Sequence, residues 1–424
     1  MALKKIDIRD LKVGMYVAEL DRPWIDSPFL FQGFRIEGDE ELKKLRSLCR
    51  YVVIDNERGY DGPAFEQRQP PPSAPPVARK EVARQPAPEL LPAEPDFRKA
   101  LTQVYQYRRR ATAFLDNVLQ GVRSGQSVDT GAAVHVVEGL AKSVEVNINA
   151  SMWLNSLKRR HEHSANHCTN VAVVSLAFAH YLGYSGQKLI DVGIGALLHD
   201  VGLMRLPIHL LDKPGKLAPE EERELREHPT QGEHLLQRGK AQLSSTVVNI
   251  IRHHHERLDG SGYPDGLSGD RIPEEAMIVA LADIYDAMTT ERPYKTPASP
   301  HGSMNVIKQL GDREFKRSLV QAFMSCIGIY PIGSVVQLHS GDIALVVSHT
   351  RRTRLRPEVM ILQNAKGQMY RNWPLMDLDK RAEMRGGDKF QIMRVVDPAR
   401  YGVDVARVTE TYVDRLYQGT LNTV

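Results

Sequence analysis

The chain has 424 residues, 42% of them apolar and 25% charged, with 56 basic against 52 acidic side chains and a net charge of +4. That length exceeds one ordinary core and implies several folded units of globular composition. No eighteen-residue apolar run is present, and Met1 to Asp10 lacks an apolar signal core, so neither a membrane span nor secretion is expected and the cytoplasm is the expected location.

Cys49, Cys168 and Cys326 lie far apart with no CxxC pair, which points to a reducing compartment and against a thiolate zinc site. The charge is small and spread out. Arg108 to Arg110 and Arg351 to Arg356 therefore read as solvated faces, and DNA binding is not expected.

In chain order, residues 1–62 read as a small β-rich accessory unit. Leu11 to Val17 and Tyr51 to Asp55 are strand candidates, rich in β-branched and aromatic residues. Asp39 to Cys49 predicts a short amphipathic helix, with Leu42, Leu45 and Leu48 on one side and Asp39 as N-cap. From Pro70 to Pro95 nine prolines stand among alanine, glutamate and arginine, so 63–95 is expected to be a PPII-prone linker. Residues 96–160 predict a helical connector and 161–328 a helical domain, the candidate catalytic one on the residues given below. Residues 329–424 predict a small β-barrel-like tail, with strands at 335–338 and 343–347 around Ser340-Gly341-Asp342. A second hairpin is expected from 358–363 to 368–370. The fold class is thus mainly α, a helical bundle flanked by a small β-rich N-terminal unit and the β-barrel-like tail, and the residues below make it a metal-binding bundle.

Eleven of the fifteen histidines fall between residues 161 and 255. Neutral imidazole is the commonest transition-metal ligand, and histidines with interspersed aspartates suit a hydrolytic metal centre. Val171, Val174, Phe178 and Tyr181 form a helical stripe, with His167 and then His163 one turn back each time. Another helix ends in His199-Asp200, where the carboxylate is placed to bridge two ions, and Gly202 allows a sharp turn beside it. His228 precedes Pro229. The stripe Val247, Ile250 and Ile251 leads to His254 and His255, with His253 the expected bystander. Asp283 and Asp286 lie in a segment that is apolar nearly all round, so each needs a partner. Asp286 is read as a structural N-cap or ion-pair residue.

As a set, these residues resemble the HD-GYP family of metal-dependent phosphohydrolases. The likeness runs from His163 to Phe323. It includes His199-Asp200-Val201-Gly202, Lys213-Pro214-Gly215-Lys216-Leu217, His228-Pro229-Thr230-Gln231-Gly232, the block His254 to Leu267 with Gly262-Tyr263-Pro264, and Arg292-Pro293-Tyr294. Residues 1–62 are similar to the small uncharacterised domain that often precedes it, through Asp21-Arg22-Pro23-Trp24 and Pro28 to Phe34.

The resemblance implies hydrolysis of cyclic di-GMP to linear pGpG or GMP through a metal-bridging hydroxide. It assigns His167, His199, Asp200 and Asp283 to one divalent ion, iron or manganese. Asp200 then bridges to a second ion held by His228, His254 and His255. Catalysis would centre on Asp200 and His199. Arg292, Tyr263, Gly262 and Pro264 would contact the nucleotide. His163 stands where members with a third ion carry glutamate. It is the candidate third-site ligand, although two ions are the expectation.

Leu203 replaces the lysine usual after His-Asp-x-Gly and removes an ammonium expected to contact phosphate. That substitution, with the two β-rich units, sets up an alternative: a catalytically weak cyclic di-GMP sensor, or a module docking diguanylate cyclases through the Gly-Tyr-Pro loop. A phosphohydrolase for another nucleotide is a third reading, opposed by the Gly-Tyr-Pro block. Homodimerisation through 96–156 is also an expectation.

Overall fold

A computed structural model of the chain describes residues 3–21, 34–36, 38–55, 97–155, 163–211, 213, 215–237, 243–290, 298–349, 355–382 and 387–418. The proline-rich segment, the aromatic motif around Trp24 and most of the Arg351 to Arg356 run lie outside them. The chain divides into two compact units, Met1–Ala93 and Glu94–Val424.

In the first unit, β1 (Leu3–Asp7), β2 (Tyr16–Leu20), β3 (Phe34–Arg35) and β4 (Tyr51–Asp55) form a sheet in the order β1-β4-β2-β3. Strands β1 and β4 run antiparallel with Ile6 opposite Val52. Helix α1 (Asp39–Leu48) covers this sheet, burying Leu42 and Leu45 against Ile6, Met15, Val17 and Ile54. Two expectations shift here. The strand begins at Tyr16 because Leu11 to Met15 is spent on a turn, with Gly14 at φ +94°. Asp39 is the first helical residue and Gly38 the cap, so Asp39, Glu40 and Glu41 act instead through the positive helix N-terminus.

The second unit is mainly helical. Long helices α2 (Phe97–Arg123) and α3 (Thr130–Val146) and short α4 (Ile148–Leu154) lead into α5 (His163–Tyr181) and α6 (Gly186–Leu198). After a 3₁₀ turn at Val201–Arg205 come α7 (Ile208–Leu211), α8 (Pro219–Leu225), α9 (His228–Gln237), α10 (Ser245–His253), α11 (Glu274–Thr289), α12 (Pro300–Leu310) and α13 (Arg317–Ile327). Helix α11 buries every residue from Ala276 to Ala282, as its uniform apolarity requires of a central helix. Among the described residues no helix is long and apolar enough to cross a membrane.

Strands β5 (Val335–Leu338), β6 (Ile343–Ser348), β7 (Glu358–Gln363), β8 (Leu375–Asp377) and β9 (Ile392–Val395) form an antiparallel sheet in the order β8-β7-β6-β5-β9. Helix α14 (Leu378–Ala382) follows β8, and α15 (Val405–Tyr417) ends the described chain. Alternate residues serve two cores. Val335, Leu345 and Met360 face Leu101, Trp153 and Tyr412, whereas Val336, Val346 and Ile361 face Tyr330, Leu378 and Ile392. Trp153 meets Tyr412 edge-on with ring centroids 5.7 Å apart, so this sheet shares a core with α2, α4 and α15. The turn at Ser340 to Asp342 falls where predicted. Residues 368–370 do not form the expected strand: only Met369 bridges to Gln363, and β7 pairs instead with β8.

Candidate metal centre

Ends and faces of five helices converge at one place. Helix α5 supplies His167. His199 caps the C-terminus of α6 and Asp200 follows it. His228 opens α9, His254 caps α10 with His255 next, and α11 contributes Asp283. The helix-end positions have a common logic. Nδ1 of His199, His228 and His254 each lies 2.8 Å from the carbonyl oxygen three residues earlier, of Ala196, Leu225 and Ile251. A carbonyl only accepts, so each Nδ1 carries a proton, and in the neutral ring Nε2 is left with a lone pair.

Those lone pairs point at one carboxylate. Asp200 Oδ2 lies 3.4 Å from His199 Nε2 and 3.9 Å from His167 Nε2. Its other oxygen, Oδ1, lies 3.3 Å from His228 Nε2 and 3.9 Å from His254 Nε2. The donor atoms form two groups sharing Asp200: His167 with His199, and His228 with His254 and His255, each within 4.8 Å. Asp283 Oδ1 is 3.1 Å from His167 Nε2.

This donor set fits cations. His199 Nε2 is buried with no hydrogen-bond partner among the described residues. The Nε2 atoms of His228 and His254 face each other at 3.4 Å, and with both Nδ1 atoms protonated neither has a proton to share. A positive ion between such groups resolves what protons cannot. Burial, reinforced by neighbouring histidines, pushes the pKa values of His254 and His255 well down, and burial lowers that of His228. His167 behaves oppositely. Burial disfavours its charge, but Asp283 and Asp286 outweigh burial and raise it to about 10. Burial would raise Asp283, yet His167 holds it well below the ordinary carboxylate range.

Of the two sequence readings of Asp286, N-cap or ion-pair residue, the second holds, since it lies in the last turn of α11 and its carboxylate pairs with His167. Its Oδ2 meets His167 Nδ1 at 2.8 Å, while Oδ1 accepts from Asn170 Nδ2 at 2.9 Å and Oδ2 from Thr290 Oγ1 at 3.1 Å. A carboxylate on the far nitrogen of a ligand-type histidine fixes its tautomer and ring angle. Asp283 and Asp286 are three residues apart on one helix face, the signal by which sequence reasoning could have joined them.

Comparison with known proteins agrees with this geometry. The profile described as HD domain matches residues 151–319, that described as domain of unknown function (DUF3391) matches 3–133, and a KOW domain associated with HD domain matches 335–402. The chain is 32% identical over 385 residues to a cyclic di-GMP phosphodiesterase of Pseudomonas aeruginosa, covering 90% of each protein.

The chain belongs to the HD-GYP family.

Two further relatives match a smaller share of the chain. A cyclic di-GMP phosphodiesterase of Thermotoga maritima is 37% identical over 158 residues, 37% of this chain and 43% of that protein. A 3'3'-cGAMP-specific phosphodiesterase of Vibrio cholerae is 39% identical over 180 residues, 42% of this chain and 39% of that one.

The family's Gly-Tyr-Pro loop closes over the second histidine group. The Tyr263 ring stacks on His255, with centroids 4.6 Å apart and planes at 24°, and the Arg226 guanidinium lies 5.1 Å from its centre. A Cβ on Gly262 would meet Arg257 N and His255 O at 2.5 Å, so only glycine fits where the loop returns against its own stem. Sequence reasoning missed Glu256, which is buried and accepts the Asp265 and Leu267 N–H groups at 2.7 and 2.9 Å, tying the loop shut. His253 turns away to Asp265 at 3.0 Å, as the bystander expectation has it. Pro264 is half-buried beside Tyr263, and Leu203 is half-buried in the 3₁₀ turn after Asp200. Gly202 of that turn meets α9 so closely that a Cβ would fall on the His228 carbonyl oxygen. Arg292 and the side chain of His163 lie outside the described residues.

Proposed function

We propose that the chain is a phosphodiesterase that hydrolyses cyclic di-GMP to linear pGpG or GMP with two divalent ions, iron or manganese. The observation carrying this reading is the division of Asp200, with Oδ2 turned to the His167–His199 pair and Oδ1 to the His228–His254 pair. A carboxylate so placed suits a bridge between two cations, and Asp283 beside His167 supplies a second negative charge.

Two ions held there would supply Lewis acidity toward a phosphodiester and an acidified water. The protein's own residues do the rest. His228, His254 and His255, whose charged forms burial disfavours, offer nitrogen donors with little competition from protons, His199 offers Nε2 beside Asp200, and Asp286 keeps His167 turned inward. Tyr263, stacked on His255 with the Arg226 guanidinium over its ring, is the proposed guanine contact. Arg292 is the proposed phosphate contact. Leu203 contributes no charge, which lowers affinity or rate without removing any metal donor.

The test is anaerobic turnover of cyclic di-GMP by protein loaded with ferrous iron or manganese, with 3'3'-cGAMP in parallel and products followed by chromatography. Linear pGpG or GMP that disappears in Asp200→Ala supports the reading. Bound metal with no cleavage of cyclic di-GMP sinks it, and preferential cleavage of 3'3'-cGAMP reassigns the substrate.

A further inference from the structure

Arg108 belongs to the run Arg108 to Arg110, whose composition suggests a solvated face. Arg109 and Arg110 are exposed, but Arg108 is only 6% exposed. A guanidinium withdrawn from water needs acceptors for its fork, because an unpaired buried charge is strongly unfavourable. Arg108 has two. Nη1 donates to Asn155 Oδ1 at 2.7 Å, and Nη2 donates to Asn170 Oδ1 at 2.5 Å.

The chain of contacts continues from there. Asn170 Nδ2 donates to Asp286 Oδ1 at 2.9 Å, and Asp286 Oδ2 meets His167 Nδ1 at 2.8 Å. Asn170 and Asp286 are both buried. With a cation on its oxygen and a carboxylate on its nitrogen, the Asn170 amide has one acceptable orientation and is polarised along the relay. The cation at its head partly offsets the carboxylate that orients His167.

We infer that Arg108 is a positioning residue for metal binding, acting through Asn170 and Asp286 on the angle and tautomer of His167. The inference rests on the proposed reading of His167 as a metal ligand. Its consequence concerns organisation. Arg108 lies on α2, outside the HD match at 151–319 and within the 3–133 match to a domain of unknown function. A helix from that otherwise unassigned region therefore supports the metal centre, and a shift of α2 along α5 would change metal affinity without touching a ligand.

The experiment measures Mn²⁺ affinity of the metal-free full chain by calorimetry, with metal content and the kcat and KM of the loaded protein as second readouts. Arg108→Met should weaken Mn²⁺ binding by about 10- to 100-fold. Arg108→Lys should recover part of that loss, and substrate KM should stay within about twofold. Thr112→Val is the control. It cuts the Thr112–Thr169 hydroxyl contact of 3.3 Å between the same two helices and should leave Mn²⁺ affinity within about twofold.

Parent-like affinity in Arg108→Met overturns the inference, as does an equal loss in Thr112→Val. If Arg108→Met does not fold, Arg108→Lys against Thr112→Val decides the same question. A parent protein that binds no Mn²⁺ removes the metal reading itself, an outcome distinct from a parent that binds and a variant that binds equally well.

Discussion

At the scale of single residues, the proposed chemistry concentrates on Asp200, because each of its oxygens faces a different histidine pair. Asp200→Ala should reduce turnover to background and halve bound metal, while circular dichroism stays that of the parent. Parent-level turnover would sink the assignment. Leu203→Lys tests the opposite direction. A restored ammonium makes a charge-assisted bond to phosphate, worth about 1.5 kcal/mol or roughly tenfold in kcat/KM. An unchanged kcat/KM would show that the missing cation was never limiting. The ligand-type histidines were legible in the sequence because they sit on apolar stripes or at helix ends with a motif around them. Glu256 and Arg108 were not, and Asp286 was legible only as a buried carboxylate in need of a partner. Asp286 and His167 are 119 positions apart, and a polar residue on a buried face looks the same in sequence whether it orients a ligand or merely satisfies itself.

At the scale of elements, Glu256 accepts two backbone N–H groups of the Gly-Tyr-Pro loop, beside the Arg252 guanidinium that pairs with Asp265. Glu256→Ala would leave the Asp265 and Leu267 N–H groups without their acceptor, costing about 1–3 kcal/mol for each group that stays buried. The loop would loosen over His255 while all histidine donors remain, so KM should rise with metal content unchanged. Metal loss equal to the rise in KM would mean that the loop supports the ligands and not the substrate. The long helices were readable from periodicity, as was the Ser340 to Asp342 turn. The C-terminal end was less so. Helix α15 carries Val408, Tyr412 and Val413 on a buried stripe that was passed over, and its burial depends on Trp153, far away in sequence. The expected strand at 368–370 failed because alternation shows that a segment can be a strand and not which neighbour it will find.

At the scale of the whole molecule, the centre couples stability to protons and metal together. His228, His254 and His255 have folded pKa values below the ordinary 6.5, so below that pH the unfolded chain takes up protons that the metal-free fold refuses. Stability should therefore fall as pH drops below 6.5, by up to about 1.4 kcal/mol per pH unit for each group. His167 has the opposite sign. Its value of about 10 means that the fold keeps a proton the unfolded chain has lost, a contribution fully present below 6.5 and lost as pH rises through about 10. The metal-free protein should thus be most stable near pH 6.5. Metal on His167 displaces that proton and binds best where protons are scarce, so loading with Mn²⁺ should abolish the alkaline decline and move the optimum upward. Urea unfolding followed by tryptophan fluorescence between pH 5 and 9, with and without Mn²⁺, measures both curves. An unchanged alkaline limb would mean that His167 holds no metal, whatever the other histidines bind.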